Sequence, residues 1–204
     1  MENNDLNAYE SKLDLSYAEY VQELLDKYGS ATDDYFSERS YTRFKNGEIK
    51  SLGKKVGVSR TAEGLYCHHI DEDKQILIST PNAVRNFDIP FDYQRKDRLV
   101  YCNLIEHAIL HILISIENPE PNEKLQQVGI GGYTDFIRPN LIIWLASENI
   151  PSQTWQKNCY DAIYMPVDEA IDLIAGLDAF LLLNNVVTRE RLEQGLSNYT
   201  SLSR

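Results

Sequence analysis

The amino-acid sequence predicts an α+β fold: two short strands and a following helix, embedded in a mostly helical domain. Three observations carry that prediction. Strand composition is confined to short runs near the middle of the chain, helical apolar spacing occupies most of the rest, and a strong helix-start signal follows directly on the second strand. With 204 residues, 43% of them hydrophobic, the chain is long enough to bury one ordinary core.

The elements follow in order. Ser16 opens a helix that places Tyr17, Tyr20, Val21, Leu24, Leu25 and Tyr28 at helical spacing, and Gly29 stops it. Residues 30–63 are polar and rich in Ser, Lys and Gly, which predicts loops. Within them, residues 51–61 have a faint helix-turn-helix character, but no second amphipathic helix follows. Leu65–Ile70 reads as a strand ending in Asp71, Glu72 and Asp73, and Gln75–Ser79 as a second short strand ended by Pro81 and Asn82. Leu99–Cys102 is a further strand. Asn103 then caps a helix, with Glu106 three residues on as in a capping box. That helix is apolar nearly all round, so it is expected to be buried, with Pro119 and Pro121 ending it. Helices are expected over roughly 134–148, 152–164, 167–183 and 188–197, with breaks at Gly176 and Asn184–Asn185 and with Trp144 and Trp155 packed inside. These elements divide into an N-terminal helix and basic arm (1–60), a central unit (61–118) and a helical C-terminal part (119–204) that packs with it.

Charge bounds the partners. A net charge of −11 argues against nucleic acid, whose phosphates are met mainly by Lys and Arg. The distribution of charge along the chain argues the other way locally. Residues 39–60 carry seven basic side chains against Glu48 alone, and this run leads straight into a histidine pair. Lys50, Lys54, Lys55 and Arg60 are therefore candidate phosphate contacts, although a solvated basic loop has the same composition. No apolar stretch is long enough to span a membrane. The acidic, polar N-terminus lacks the features of a secretory signal, and three cysteines without a CxxC pair suit a cytoplasmic protein with reduced thiols.

All four histidines fall in two pairs, His68–His69 and His107–His111. Helix positions i and i+4 lie one above the other, so His107 and His111 can present imidazole to one point. Neighbours on a strand point to opposite sides, so one of His68 and His69 can join them while the other faces away. Three imidazoles with an open position fit a catalytic metal, and a fourth, unligated imidazole can serve as general base. Asp71, Glu72 and Asp73 are candidate carboxylate ligands or a solvated turn.

The stretch His68-His69-Ile70 resembles the paired opening of HNH (His-Me finger) nucleases. Residues 98–107 followed by His111 are similar to their closing segment, in which a strand runs into a helix with two histidines four apart. The resemblance covers residues 67–111 and extends to uncharacterised HNH-like proteins of Gram-positive bacteria and their phages. It implies a ββα-metal motif and a metal-dependent endonuclease acting on DNA or, second, RNA. By the same resemblance, His68, His107 and His111 would hold one divalent ion (Mg²⁺, Mn²⁺, Ni²⁺ or Zn²⁺) and His69 would activate water. Two departures stand out. Arg98 occupies the position of the family's middle Asn, where it is a candidate to grip phosphate, or else the neighbouring Asp97 takes the orienting role, and the bracing zinc-knuckle cysteines are absent. The rival expectation is a catalytically silent acidic module that binds another protein, with a structural metal or none; its surface would suit −11 better.

Overall fold

In a computed structural model that describes residues 6–119 and 127–202, the chain is mostly helical with one two-stranded antiparallel sheet. A short helix α1 (Leu6–Glu10) precedes α2 (Tyr17–Tyr28). The latter starts where the sequence says it should. The Glu19 amide donates to Ser16 Oγ at 3.3 Å, and the Ser16 amide donates to the Glu19 carboxylate at 2.8 Å. Tyr17, Tyr20, Val21 and Leu24 form its buried face.

Strand β1 (Tyr66–His69) pairs with β2 (Leu99–Cys102) in the register Tyr66–Cys102, Cys67–Tyr101, His68–Val100, His69–Leu99. Opposed residues share a face. Tyr66, His68, Val100 and Cys102 therefore lie on one side, and Cys67, His69, Tyr101 and Leu99 on the other. The three cysteines are free, and Cys67 and Cys102 face opposite ways. Helix α5 (Leu104–Glu117) leaves β2 through the Asn103–Glu106 capping box, with bonds of 2.9 and 2.7 Å. Capping of this kind contributes about 1 kcal/mol, and it fixes where the first helical turns begin relative to the sheet.

The C-terminal part wraps α5. A continuous helical stretch runs from α6 (Ile130–Gly132) through a π segment to α7 (Arg138–Leu141) and a second π segment that ends at Ala146. Helices α8 (Thr154–Asp161), α9 (Val167–Leu183) and α10 (Arg189–Leu202) follow. The main hydrophobic cluster draws on Tyr9, Tyr20, Val100, Ile109, Trp144, Leu173 and Leu192, so all three segments of the chain contribute to one core.

Four expectations need correction. Residues 30–63 contain helix α3 (Glu38–Lys45), whose Tyr41 and Phe44 anchor a second cluster with Phe36, Ile78, Val84 and Ile89. Two apolar residues three apart are a weak signal among Arg, Ser, Thr and Lys. Gln75–Ser79 is not a strand: the Lys74 and Gln75 amides donate back to the Asp71 carbonyl, and the Gln94 side chain donates to the Ile78 carbonyl. The chain then turns through Leu77, at φ 58°, and enters the short helix α4 (Pro81–Asn86). Gly176 lies inside α9, where a Cβ would come within 2.8 Å of the Glu10 carboxylate, so the glycine admits a close approach and does not break the helix. Trp155 is 44% exposed, unlike buried Trp144. Asn185 does end α9 in a left-handed turn. The polar N-terminal residues and Pro121 lie outside the described residues.

Candidate metal centre

Strand β1 and helix α5 bring His68, His107 and His111 together. One ring nitrogen from each lies within 4.8 Å of the others, and the ring centroids are 4.8 to 5.3 Å apart. His68 and His111 are buried, and His107 is partly buried.

The outer partners decide which nitrogens face inward. Tyr17, from α2, donates its hydroxyl hydrogen to the Ile70 carbonyl at 2.8 Å. Its oxygen is then an acceptor for His68 Nε2–H at 3.0 Å, which leaves a lone pair on His68 Nδ1. That atom is buried and has no hydrogen-bond partner among the described residues. His111 Nδ1 faces the Gly129 carbonyl at 3.0 Å; a carbonyl only accepts, so Nδ1 carries the hydrogen and Nε2 a lone pair. His111 Nε2 lies 3.2 Å from His107 Nε2. Imidazoles that ligate metals ordinarily donate their other N–H to such a group. Burial, reinforced by the neighbouring imidazoles, holds His68 and His107 well below the usual histidine range. Burial likewise brings His111 down to about 4. All three are neutral at pH 7, as metal ligands must be.

Glycines shape the wall. At Gly129, φ is +81°, and a Cβ would fall 2.6 Å from the His111 carbonyl oxygen; at Gly132 a Cβ would strike the His111 ring at 2.3 Å. The helical entrance at 129–132 can therefore close on His111. A cleft of about 240 Å³ adjoins the trio, lined by Glu72, Ser79, Thr80, His111, Asp135 and Phe136 among others. Among the described residues, no lysine or arginine lines it, and Asp135 is held by Arg191 at 2.6 Å.

The acidic turn after β1 divides its work. Asp71 is fully buried and accepts from Arg98 Nε at 2.6 Å and Lys74 at 2.8 Å. Burial works to raise its carboxyl, but the bonds from Arg98 and Lys74 outweigh that and hold it low. Glu72 instead turns to the imidazoles, with Oε2 3.3 Å from His111 Nε2 and 3.8 Å from His68 Nδ1. Burial pushes its carboxyl up to about 8. Glu106 is consumed by its cap and by Lys27 and Tyr28, each at 3.0 Å.

The other expected site residues lie elsewhere. His69 faces the opposite side of the sheet, 1% exposed. Its Nε2 bonds Gln94 at 3.1 Å and its ring packs on Tyr35 at 4.5 Å. Arg98 is engaged by Asp71 in a two-point ion pair. The basic arm covers the His69 side. Val58 and Leu65 pack with Leu99 and Tyr101, and Arg60 sits over the Tyr101 ring at 4.9 Å. Arg60 also pairs with Glu63, Lys55 with Asp33, and Lys54 bonds Ser59. Lys50 is exposed. Sequence reasoning missed Tyr17, Gln94 and Tyr35; the first carried only the signature of a core aromatic on a helix face. Compared with protein-family models, curated proteins and solved structures, the chain matches none of them.

Proposed function

We propose that the chain is a divalent-metal phosphodiester hydrolase of the HNH type, acting on DNA or, second, RNA, in the cytoplasm. The observation that carries this reading is the convergence of His68, His107 and His111 with two lone pairs already turned inward by Tyr17 and Gly129. The pairing of β1 with β2 and the direct passage of β2 into α5 support this reading, although the short helix α4 lies between the two strands. A bound divalent ion would supply Lewis acidity toward a phosphate oxygen and the departing 3′ oxygen. His68, His107 and His111 would hold it, and Tyr17 and the Gly129 carbonyl would orient two of them. Under the resemblance His69 takes the proton from water, which requires its ring to leave Tyr35 and Gln94 and the face of the sheet opposite the trio.

A second reading has support of its own. His69 is sealed, the cleft has no cation among the described residues of its lining, and the arm's charges are partly neutralised by local acids. These features fit a module with a structural metal that binds a protein through its acidic surface. Plasmid nicking separates the two readings. Purified chain supplied with Mg²⁺, Mn²⁺, Ni²⁺ or Zn²⁺ is expected to nick with at least one of them, and His111→Ala to abolish nicking. His69→Ala is expected to abolish it too while metal content stays at wild-type level. Metal binding without cleavage under any of the four ions would favour the structural reading.

A further inference from the structure

The atoms gathered at the trio include one that the family resemblance does not supply. Glu72 Oε2 lies 3.3 Å from His111 Nε2 and 3.8 Å from His68 Nδ1. Both nitrogens bear lone pairs, because each ring's hydrogen is used on the far side, toward Gly129 and Tyr17. Neither can donate to a carboxylate. Among the described residues, Glu72 has no other partner. Acceptor atoms from three separate elements thus face one another across one point. A hydrogen on the Glu72 carboxyl, which burial favours, satisfies only one of its two histidine contacts, whereas a cation in the middle satisfies all three groups.

We propose that Glu72 is the fourth protein ligand, completing a His₃Glu centre with His68, His107 and His111. This rests on the reading of the trio as a metal centre. Metal–ligand bonds of ~2.0–2.1 Å in a tetrahedral site put neighbouring donor atoms ~3.3 Å apart. The His107–His111 and Glu72–His111 separations, 3.2 and 3.3 Å, already have that spacing, while Glu72–His68 at 3.8 Å and the wider histidine pairs, which lie within 4.8 Å, have to draw in on the ion. The 3₁₀ turn at Ile70–Asp73 produces this division of labour, sending Asp71 to Arg98 and Glu72 to the imidazoles. The donor set selects a transition metal over Mg²⁺, which prefers oxygen ligands and retained waters. It also sets the consequence for activity. Four protein ligands fill a four-coordinate Zn²⁺, whereas ions that accept five or six ligands keep a position facing the cleft.

Co²⁺ titration of the metal-free full-length chain tests the proposal. Visible absorption reports coordination, and competition with a chelating indicator reports affinity. Wild type is expected to bind one equivalent with the intense bands of a four-coordinate ion. Glu72→Ala and the isosteric Glu72→Gln are expected to bind at least ~10-fold more weakly, with shifted and weaker bands, while circular dichroism shows the fold retained. Glu63→Gln, at an exposed carboxylate paired with Arg60, should behave as wild type. Affinity and spectrum unchanged in both Glu72 variants would remove Glu72 from the ligand set and leave the three histidines standing. Failure of wild type to bind Co²⁺ would overturn the metal centre itself, and this proposal with it.

Discussion

Two adjacent histidines on β1 inhabit opposite worlds. His69 has a complete environment: a side-chain amide on Nε2, an aromatic ring against its face and 1% exposure. His68 is equally buried, but its hydrogen bond lies on the outer side, and its inward Nδ1 ends among His107, His111 and Glu72 with no donor to meet it. The residues are identical and one peptide apart. The alternation of a strand separates them, and the partner on the far ring nitrogen gives each its role. Burial alone therefore does not mark a functional histidine. A buried lone pair without a donor does.

The largest effect expected from that contrast is on metal affinity. Removing an outer partner of a metal ligand typically weakens binding ~10–100-fold, so removing a ligand should do more. His68→Ala or His111→Ala is expected to lower Co²⁺ or Zn²⁺ affinity by more than ~100-fold, read by chelator competition. His69→Ala should leave it within about twofold of wild type. Equal losses on the two faces would mean that strand alternation does not separate ligand from packing residue.

Much of this site was legible in the sequence, for definite reasons. The i, i+4 spacing of His107 and His111 and the Asn103–Glu106 cap are local rules, and the structure keeps both. The joining of His68 to them depended on strand parity and a register that Tyr66–Cys102 pairing satisfies. Other features were not legible, because they are set by tertiary neighbours. Asp71, Glu72 and Asp73 look alike in a row; only the 3₁₀ turn and the position of Arg98 decide which one is consumed by an ion pair. The basic arm showed its charge in the sequence but not its side. Val58 and Leu65 anchor it over Tyr101 and Leu99, away from the trio.

The middle-sized effect concerns stability and its pH dependence on the His69 side, to which the three buried imidazoles of the trio add a decline of the same sign in the metal-free chain. His69→Ala removes a buried ring and leaves Gln94 without its partner, which should destabilise the fold by about 2–4 kcal/mol in denaturant melts. The sign with pH follows from burial, which brings the His69 imidazole down to about 4 against an ordinary 6.5. Between those values the unfolded chain takes up a proton that the folded chain refuses. Stability is thus full above about 6.5 and declines as pH falls toward 4. His69→Gln, which keeps an amide for Gln94, should flatten part of that decline in the metal-free protein. An unchanged slope would mean that the ring is protonated in the folded state.

The smallest effect is the most diagnostic, because it touches no ligand. Tyr17 holds His68 in the tautomer that leaves Nδ1 bare, since its hydroxyl hydrogen is committed to the Ile70 carbonyl at 2.8 Å. Tyr17→Phe keeps the ring that packs at the base of α2 but frees His68 Nε2 and the carbonyl. The imidazole then loses both its orientation and the bond that raises its basicity. Metal affinity is expected to fall about 10-fold, less than for the histidine ligands. Stability of the metal-free chain should drop by about 1–3 kcal/mol, since two hydrogen bonds are lost and their partners left unpaired. A stability loss of that size with no change in metal affinity would show that Tyr17 merely packs against His68 and that the tautomer is set by something else.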